Sequence, residues 1–210
     1  MFFVEYTIFF THINQNSNVD FLYTFAQNFI MQIEQTFIEG VLVIKPKIFY
    51  DSRGYFFEPY NKERYQSVGI ESDFVQDNQS LSQKGALRGL HFQAPPFDQG
   101  KLVRVVKGSV MDVVVDIRKK SPTFGNHFLL ELSEKNFLQL WIPSGFAHGF
   151  VTLEDNTIFE YKCSNYYNNQ SEGGIRWNDA ELGIEWDVAN PIISDKDQEL
   201  PLLKDFVSPF

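Results

Sequence analysis

From Val41 to Cys163 the chain is a succession of apolar runs, five to nine residues long, closed by Gly, Pro, Asn or Asp. The runs are rich in Val, Ile, Phe and Tyr, whose side chains favour extended backbone, and the closing residues are those that turns require. Strands are predicted at 41–49, 54–59, 73–81, 86–93, 101–107, 109–117, 126–133, 138–142, 148–153 and 157–163. Asn61 to Val68 is the best helix, short, with Asn61 as its N-cap. So many short strands with so little helix make an all-β sandwich or barrel. The tight Lys107, Gly108, Ser109 connection predicts a hairpin between 101–107 and 109–117. Within the second run Met111, Val113, Val115 and Ile117 share one face, and Val110, Asp112, Val114 and Asp116 the other. From Ser164 onward the chain turns polar and is expected to wrap the barrel as loops.

The 210 residues are enough for one domain with a real core, and 43% of them are hydrophobic. The single cysteine, Cys163, excludes an intrachain disulfide framework and a cysteine-built zinc site. A formal net charge of −9 argues against general nucleic-acid binding. The charge is uneven, however. Residues 84–120 hold eight basic side chains against three acidic ones, net +5. Such a window can hold a small anionic ligand while the rest of the surface stays acidic. No apolar run is long enough to cross a membrane.

Residues 1–30 carry no basic n-region and no small-residue cleavage site, and Glu5 interrupts their apolar stretch, so they do not read as a secretory signal. Met31 opens an ordinary domain start. The expected division is therefore an N-terminal extension, 1–30, before a domain of residues 31–210.

Two histidines stand in settings that suit chemistry. His91 lies on the predicted strand 86–93, close after Gly89, which allows a near approach to the backbone. Alternation puts Leu87, Gly89, His91 and Gln93 on one face and Arg88 on the other. Arg88 and His91 can serve one pocket only if a bulge or a strand end re-aims one of them. His148 follows a Pro143 and Gly145 turn, a setting that can hold a histidine at a barrel mouth. His12 and His127 read as ordinary polar residues. A His-x-His pair with a later Glu and His is a metal layout of small β-barrels, but Gln93 occupies the second position here. Two imidazoles without a placed carboxylate make a poor site, so no metal is expected.

Ten stretches then carry a resemblance: 51–58 (DSRGYFFE), 75–80 (VQDNQS), 85–93 (GALRGLHFQ), 100–104 (GKLVR), 112–118 (DVVVDIR), 121–125 (SPTFG), 142–149 (IPSGFAHG), 161–162 (YK), 165–167 (NYY) and 194–197 (SDKD). In this order they resemble the dTDP-4-dehydrorhamnose 3,5-epimerase family of nucleotide-sugar enzymes. The resemblance runs from Phe49 to Asp197 and does not reach residues 1–30. It implies a cupin jelly roll (double-stranded β-helix) with a few short helices, usually a cytoplasmic homodimer, working without metal or organic cofactor. The implied substrate is a 4-keto-6-deoxy sugar on dTDP, turned toward dTDP-4-dehydro-L-rhamnose by inversion at C3 and C5.

The implied chemistry needs a base, an acid on the opposite face and a group that stabilises an enolate oxygen. By resemblance His91 is the base and Asp197 the carboxylate that orients it. The stretch from Trp186 to Asp195 is one residue shorter than the family's spacing, which leaves Asp195 as the alternative partner. Tyr161 matches the acid, and Lys101 the residue at the C4 oxygen. For the carrier, Arg53, Arg88 and Arg118 resemble phosphate ligands. Glu58, Gln76 and Asn78 can read polar edges, and Phe56 and Tyr167 can stack on the base. His148 looks like a supporting residue near the sugar or the base. Arg53, Phe56 and Glu58 lie on a strand that a neighbouring subunit can donate. Three other readings remain open: a single-carbon epimerase or ketoisomerase of deoxysugar synthesis, a metal-dependent cupin enzyme, and a sugar-nucleotide binding module without catalysis.

Overall fold

The structure, a computed structural model, describes residues 31–210. The extension read at 1–30 lies outside the described residues. The chain runs through β1 (Gln32–Gln35), β2 (Leu42–Lys45), β3 (Phe49–Asp51), β4 (Gly54–Phe56), α1 (Lys62–Ser67), β5 (Gln76–Ser82), β6 (Leu87–Gln93) and β7 (Lys101–Lys107). It continues through β8 (Ser109–Asp116), β9 (His127–Ser133), β10 (Gln139–Ile142), β11 (Phe146–Thr152), β12 (Thr157–Cys163), β13 (Glu172–Gly174) and α2 (Asp195–Gln198), and ends in a 3-10 turn at Leu203–Asp205. Asn61 caps α1 as expected, its side chain accepting from the Arg64 N–H.

Two antiparallel sheets form the body. One has the order β1-β2-β10-β7-β12-β5 and the other β13-β6-β11-β8-β9; β3 and β4 form a separate two-stranded ribbon. This is the jelly roll that the resemblance implies. The inner core draws Val43, Val103, Val105, Leu140 and Phe159 from the first sheet and Val110, Val114, Leu132 and Phe150 from the second. Each fully buried side chain of this kind contributes about 1.5–3 kcal/mol. The outer face of the second sheet is buried too. There Leu87, Leu90, Phe92, Val113 and Val115 meet Ile175, Leu182 and Trp186 of the C-terminal segment. The predicted division of β8 into two faces therefore holds, with each face belonging to a different core.

The hairpin expected at Gly108 does not form. β7 pairs with β10 and β12, whereas β8 pairs with β9 and β11. Val103 and Val105 face Val110 and Val114 across one core, so the chain must cross between sheets instead of folding back within one. Gly108 makes that corner at φ +78°, where an added Cβ would meet Thr157 Oγ1 at 2.3 Å. The predicted strand 41–49 splits around Pro46, which cannot donate to a ladder. β1 and β13 were not foreseen, because QIEQ and EGG lack the apolar run that marks a strand. β13 also corrects the expectation of loops alone after Ser164.

Candidate active site

A cavity of about 540 Å³ opens between the two sheets. Its walls come from β5, β6, β7, β11 and β12, and the segment from Ile192 to Asp197 closes one side. Arg88, His91, Lys101, His148, Tyr161 and Asp197 all line it. A larger cavity, about 820 Å³, lies near Phe37 and Trp141. Its lining carries Glu39 and Glu71 and no basic side chain, a poor match for an anionic ligand.

The bulge that Arg88 and His91 require is present. His148 pairs with His91 but Phe150 pairs with Arg88, so β6 carries one extra residue against β11. The two strands touch backbone to backbone there. A Cβ on Gly89, whose φ is +134°, would sit 2.5 Å from Gly149 Cα. The slip sends Leu90 and Phe92 into the outer core while Arg88 and His91 both reach the cavity.

His91 Nε2 lies 2.7 Å from Asp197 Oδ1, and Asp197 Oδ2 accepts the Gly89 N–H at 3.2 Å. Asp197 sits in the single turn of α2, capped by Ser194, and is buried; Asp195 at the start of that turn is exposed. The partner of His91 is therefore Asp197. Burial works to raise the Asp197 carboxyl. The hydrogen bond and charge of His91, the Gly89 N–H and Ser194 outweigh it and hold the group below the usual carboxylate range. An ionised carboxylate only accepts, so the proton between the pair belongs on Nε2. That leaves the Nδ1 lone pair as the basic site of the ring.

Across the cavity, Lys101 Nζ lies 5.8 Å from the centroid of the Tyr161 ring. Burial pulls the Lys101 ammonium below its ordinary pKa, against the opposing pull of Cys163, Asp112 and Glu172. Burial pushes the Tyr161 phenol up, Cys163 and Glu172 adding to it while Asn78 and Arg88 oppose it. The phenol therefore keeps its proton at neutral pH. His148 forms a second pair: its Nε2 is 2.8 Å and 3.0 Å from the two carboxylate oxygens of Asp112.

The carrier residues divide. Arg88 Nε donates to Ser82 Oγ at 3.2 Å, and the side chain has no carboxylate partner among the described residues. Gln76 and Asn78 sit on the inward face of β5 beside Tyr161, and Gln76 accepts the Tyr167 N–H at 3.0 Å. The Tyr167 hydroxyl donates to Glu172, which also holds Lys196 at 2.6 Å. Arg53, Phe56 and Glu58 do not join the cavity. Arg53 pairs with Asp51 on the ribbon of β3 and β4, Phe56 there is 70% exposed, and Glu58 pairs with Arg64. Arg118 also lies elsewhere, bound to Asp116 beside Ser121 and Thr123 and stacked on Phe146. That carboxylate already fills its fork, so the geometry gives Arg118 a place in the fold.

The sequence reading missed Asp112, Glu172, Lys196 and Ser80 as members or neighbours of the site. Asp112 had a signal: a carboxylate inside a strand buried on both faces must have a partner. Lys196 stood one residue from Asp197 in a stretch already singled out.

The sequence model of a family described as dTDP-4-dehydrorhamnose 3,5-epimerase matches residues 35–205. A dTDP-4-dehydrorhamnose 3,5-epimerase from Shigella flexneri is 53% identical over 168 residues, covering 80% of this chain and 93% of the relative. A crystal structure of a dTDP-6-deoxy-D-glucose-3,5-epimerase from Legionella pneumophila, in complex with dTDP-4-keto-L-rhamnose, is 47% identical with a TM-score of 0.81, covering 84% of this chain and 95% of that one. A 3'-monoepimerase from Streptomyces bikiniensis, in complex with dTDP-quinovose, is more distant: 34% identical, TM-score 0.77, covering 81% and 87%. With its fold, its cavity and these likenesses in agreement, the chain belongs to the dTDP-4-dehydrorhamnose 3,5-epimerase family.

Proposed function

We propose that the protein converts dTDP-4-dehydro-6-deoxy-D-glucose to dTDP-4-dehydro-L-rhamnose by inverting C3 and C5. One observation carries this reading: the His91 and Asp197 pair, Lys101 and Tyr161 line a single cavity. The C4 ketone acidifies the hydrogens on C3 and C5. His91 takes such a proton, and Asp197 orients the ring and stabilises the imidazolium that forms. The electrons move onto the C4 oxygen, where Lys101 stabilises the enolate. Its lowered pKa brings its proton closer to sharing with that oxygen. Tyr161, with its raised pKa, delivers a proton to the opposite face of the carbon.

Arg88 holds the diphosphate through its free fork, and Gln76, Asn78, His148 and Tyr167 contact the carrier and sugar. Arg53, Phe56 and Glu58 act in the cavity of a second copy of the chain. The ribbon of β3 and β4, which bears Arg53 and Phe56, exposes Phe49, Tyr50, Tyr55 and Phe56, four aromatics that a homodimer would cover. Residues 31–210 form the epimerase domain, residues 1–30 precede it as an extension, and the enzyme works in the cytoplasm.

Incubation with dTDP-4-keto-6-deoxyglucose in D2O tests the reading. Deuterium at both C3 and C5 is expected. Deuterium at one carbon moves the protein to the single-carbon epimerases, and none at all defeats the epimerase reading.

A further inference from the structure

β5 breaks the ordinary rule for a strand at the edge of a sheet. Its inward positions are Gln76, Asn78, Ser80 and Ser82, all polar, and its outward positions include Leu81, 57% exposed. A polar ladder turned toward the interior disfavours folding unless each rung finds a partner. Three rungs do. Gln76 donates to Asn78 and accepts from the Tyr167 backbone. Asn78 Nδ2 reaches Cys163 Sγ at 3.6 Å, and Ser82 accepts from Arg88. Ser80 lines the cavity, yet its Oγ is buried and has no hydrogen-bond partner among the described residues.

The position of the open rung indicates what completes it. Asn78 stands opposite Tyr161, and Ser80 stands opposite Phe159, which offers no polar group. Ser82, on the next inward rung, holds Arg88. Ser80 therefore lies between the phenol at the reacting carbon and the guanidinium at the diphosphate. On a hexose joined to its carrier through C1 and reacting at C3, the polar group in that interval is the C2 hydroxyl. A serine χ1 steps between staggered wells, so its hydroxyl can turn toward a group entering the cavity.

We propose that Ser80 is a specificity residue that hydrogen-bonds the C2 hydroxyl of the sugar, holding the ring in register between Arg88 and Tyr161. The proposal rests on the epimerase reading above. It explains why an unpaired hydroxyl persists in the wall: the site gives up some stability to keep a group that is satisfied only with substrate bound.

The test compares wild type and Ser80→Ala on dTDP-4-keto-6-deoxyglucose and on its 2-deoxy analogue. With the first substrate, Ser80→Ala is expected to raise KM about tenfold, the scale of one lost hydrogen bond, with kcat changed less than twofold. With the analogue the two proteins should have the same KM. The melting temperature should be unchanged or higher, since an unpaired buried hydroxyl has been removed. An unchanged KM on the first substrate overturns the proposal and assigns the hydroxyl to an internal water. Equal penalties on both substrates also overturn it, because a structural role does not sense the 2-hydroxyl. Wild type that turns over neither compound defeats the epimerase reading, and this inference with it.

Discussion

Among the described residues stand two histidine–aspartate pairs of nearly the same geometry in different surroundings. His91 and Asp197 are 2.7 Å apart with the imidazole 28% exposed, and the two residues come from strand and helix far apart in the chain. His148 and Asp112 are 2.8 Å apart at 8% and 0% exposure, on adjacent strands β11 and β8. The first pair lines the cavity with its imidazole open to it. In the second, Asp112 is fully enclosed, and His148, stacked on the Phe159 ring at 6.1 Å, shows only an edge to the same cavity. A shared motif of two side chains therefore does two jobs, and access decides which. The open histidine can take up and release a proton during a reaction. The closed one has its orientation fixed by a carboxylate that no water reaches, which suits a supporting wall.

The largest expected effect breaks the comparison at its open end. His91→Ala should lower deuterium incorporation at both C3 and C5 by about 10³-fold or more, read by NMR of the sugar in D2O, with the fold retained. Retained exchange would remove His91 as the base. At the closed end, Asp112→Ala should cost about 1–3 kcal/mol of stability in denaturant titration, because it leaves a buried imidazole N–H without its partner. Asp197→Ala, by contrast, should lower turnover about 100-fold with less than half that stability loss. Equal stability losses in the two variants would erase the distinction between the pairs.

Smaller effects sharpen it. Tyr161→Phe should slow turnover about 10- to 100-fold while solvent exchange of the abstracted proton continues, since the base remains. If exchange falls in step with turnover, the phenol is not the separate acid. The smallest effect is on acid stability. Asp197 has a folded pKa below its unfolded value near 3.9, so its contribution is complete above that value and is lost as pH falls through the folded pKa. Wild type should therefore lose stability from about pH 4 downward more steeply than Asp197→Asn, measured as denaturant midpoints against pH. Parallel curves would show that the pair adds nothing to the fold.

Much of the barrel was legible in local chemistry. β7 and β12 coincide with predicted runs, and the two faces of β8 were separable by alternation, because a strand's side-chain period is set by the backbone alone. What failed was pairing. Lys107 to Ser109 has the sequence of a hairpin turn, and whether it closes a hairpin or turns a corner depends on where Val103 and Val110 find their partners. Of the site, His91, Lys101, Tyr161 and Asp197 were identified by resemblance and lie together in the structure. Arg118 was matched to a ligand arginine by resemblance, and the structure places it outside the cavity, paired with Asp116.

The roles of base, acid and cation rest on the resemblance to the family; by itself the sequence determined the all-β class and the local excess of positive charge over residues 84–120. These last two follow from side-chain identity and period, which are properties of neighbouring residues. Only the tertiary structure decided that Asp197 and not Asp195 meets His91, that a bulge at Gly89 lets Arg88 and His91 share one cavity, and that Asp112 holds the His148 ring. Those are contacts between segments distant in the chain, and burial, register and backbone approach select them when the two sheets close.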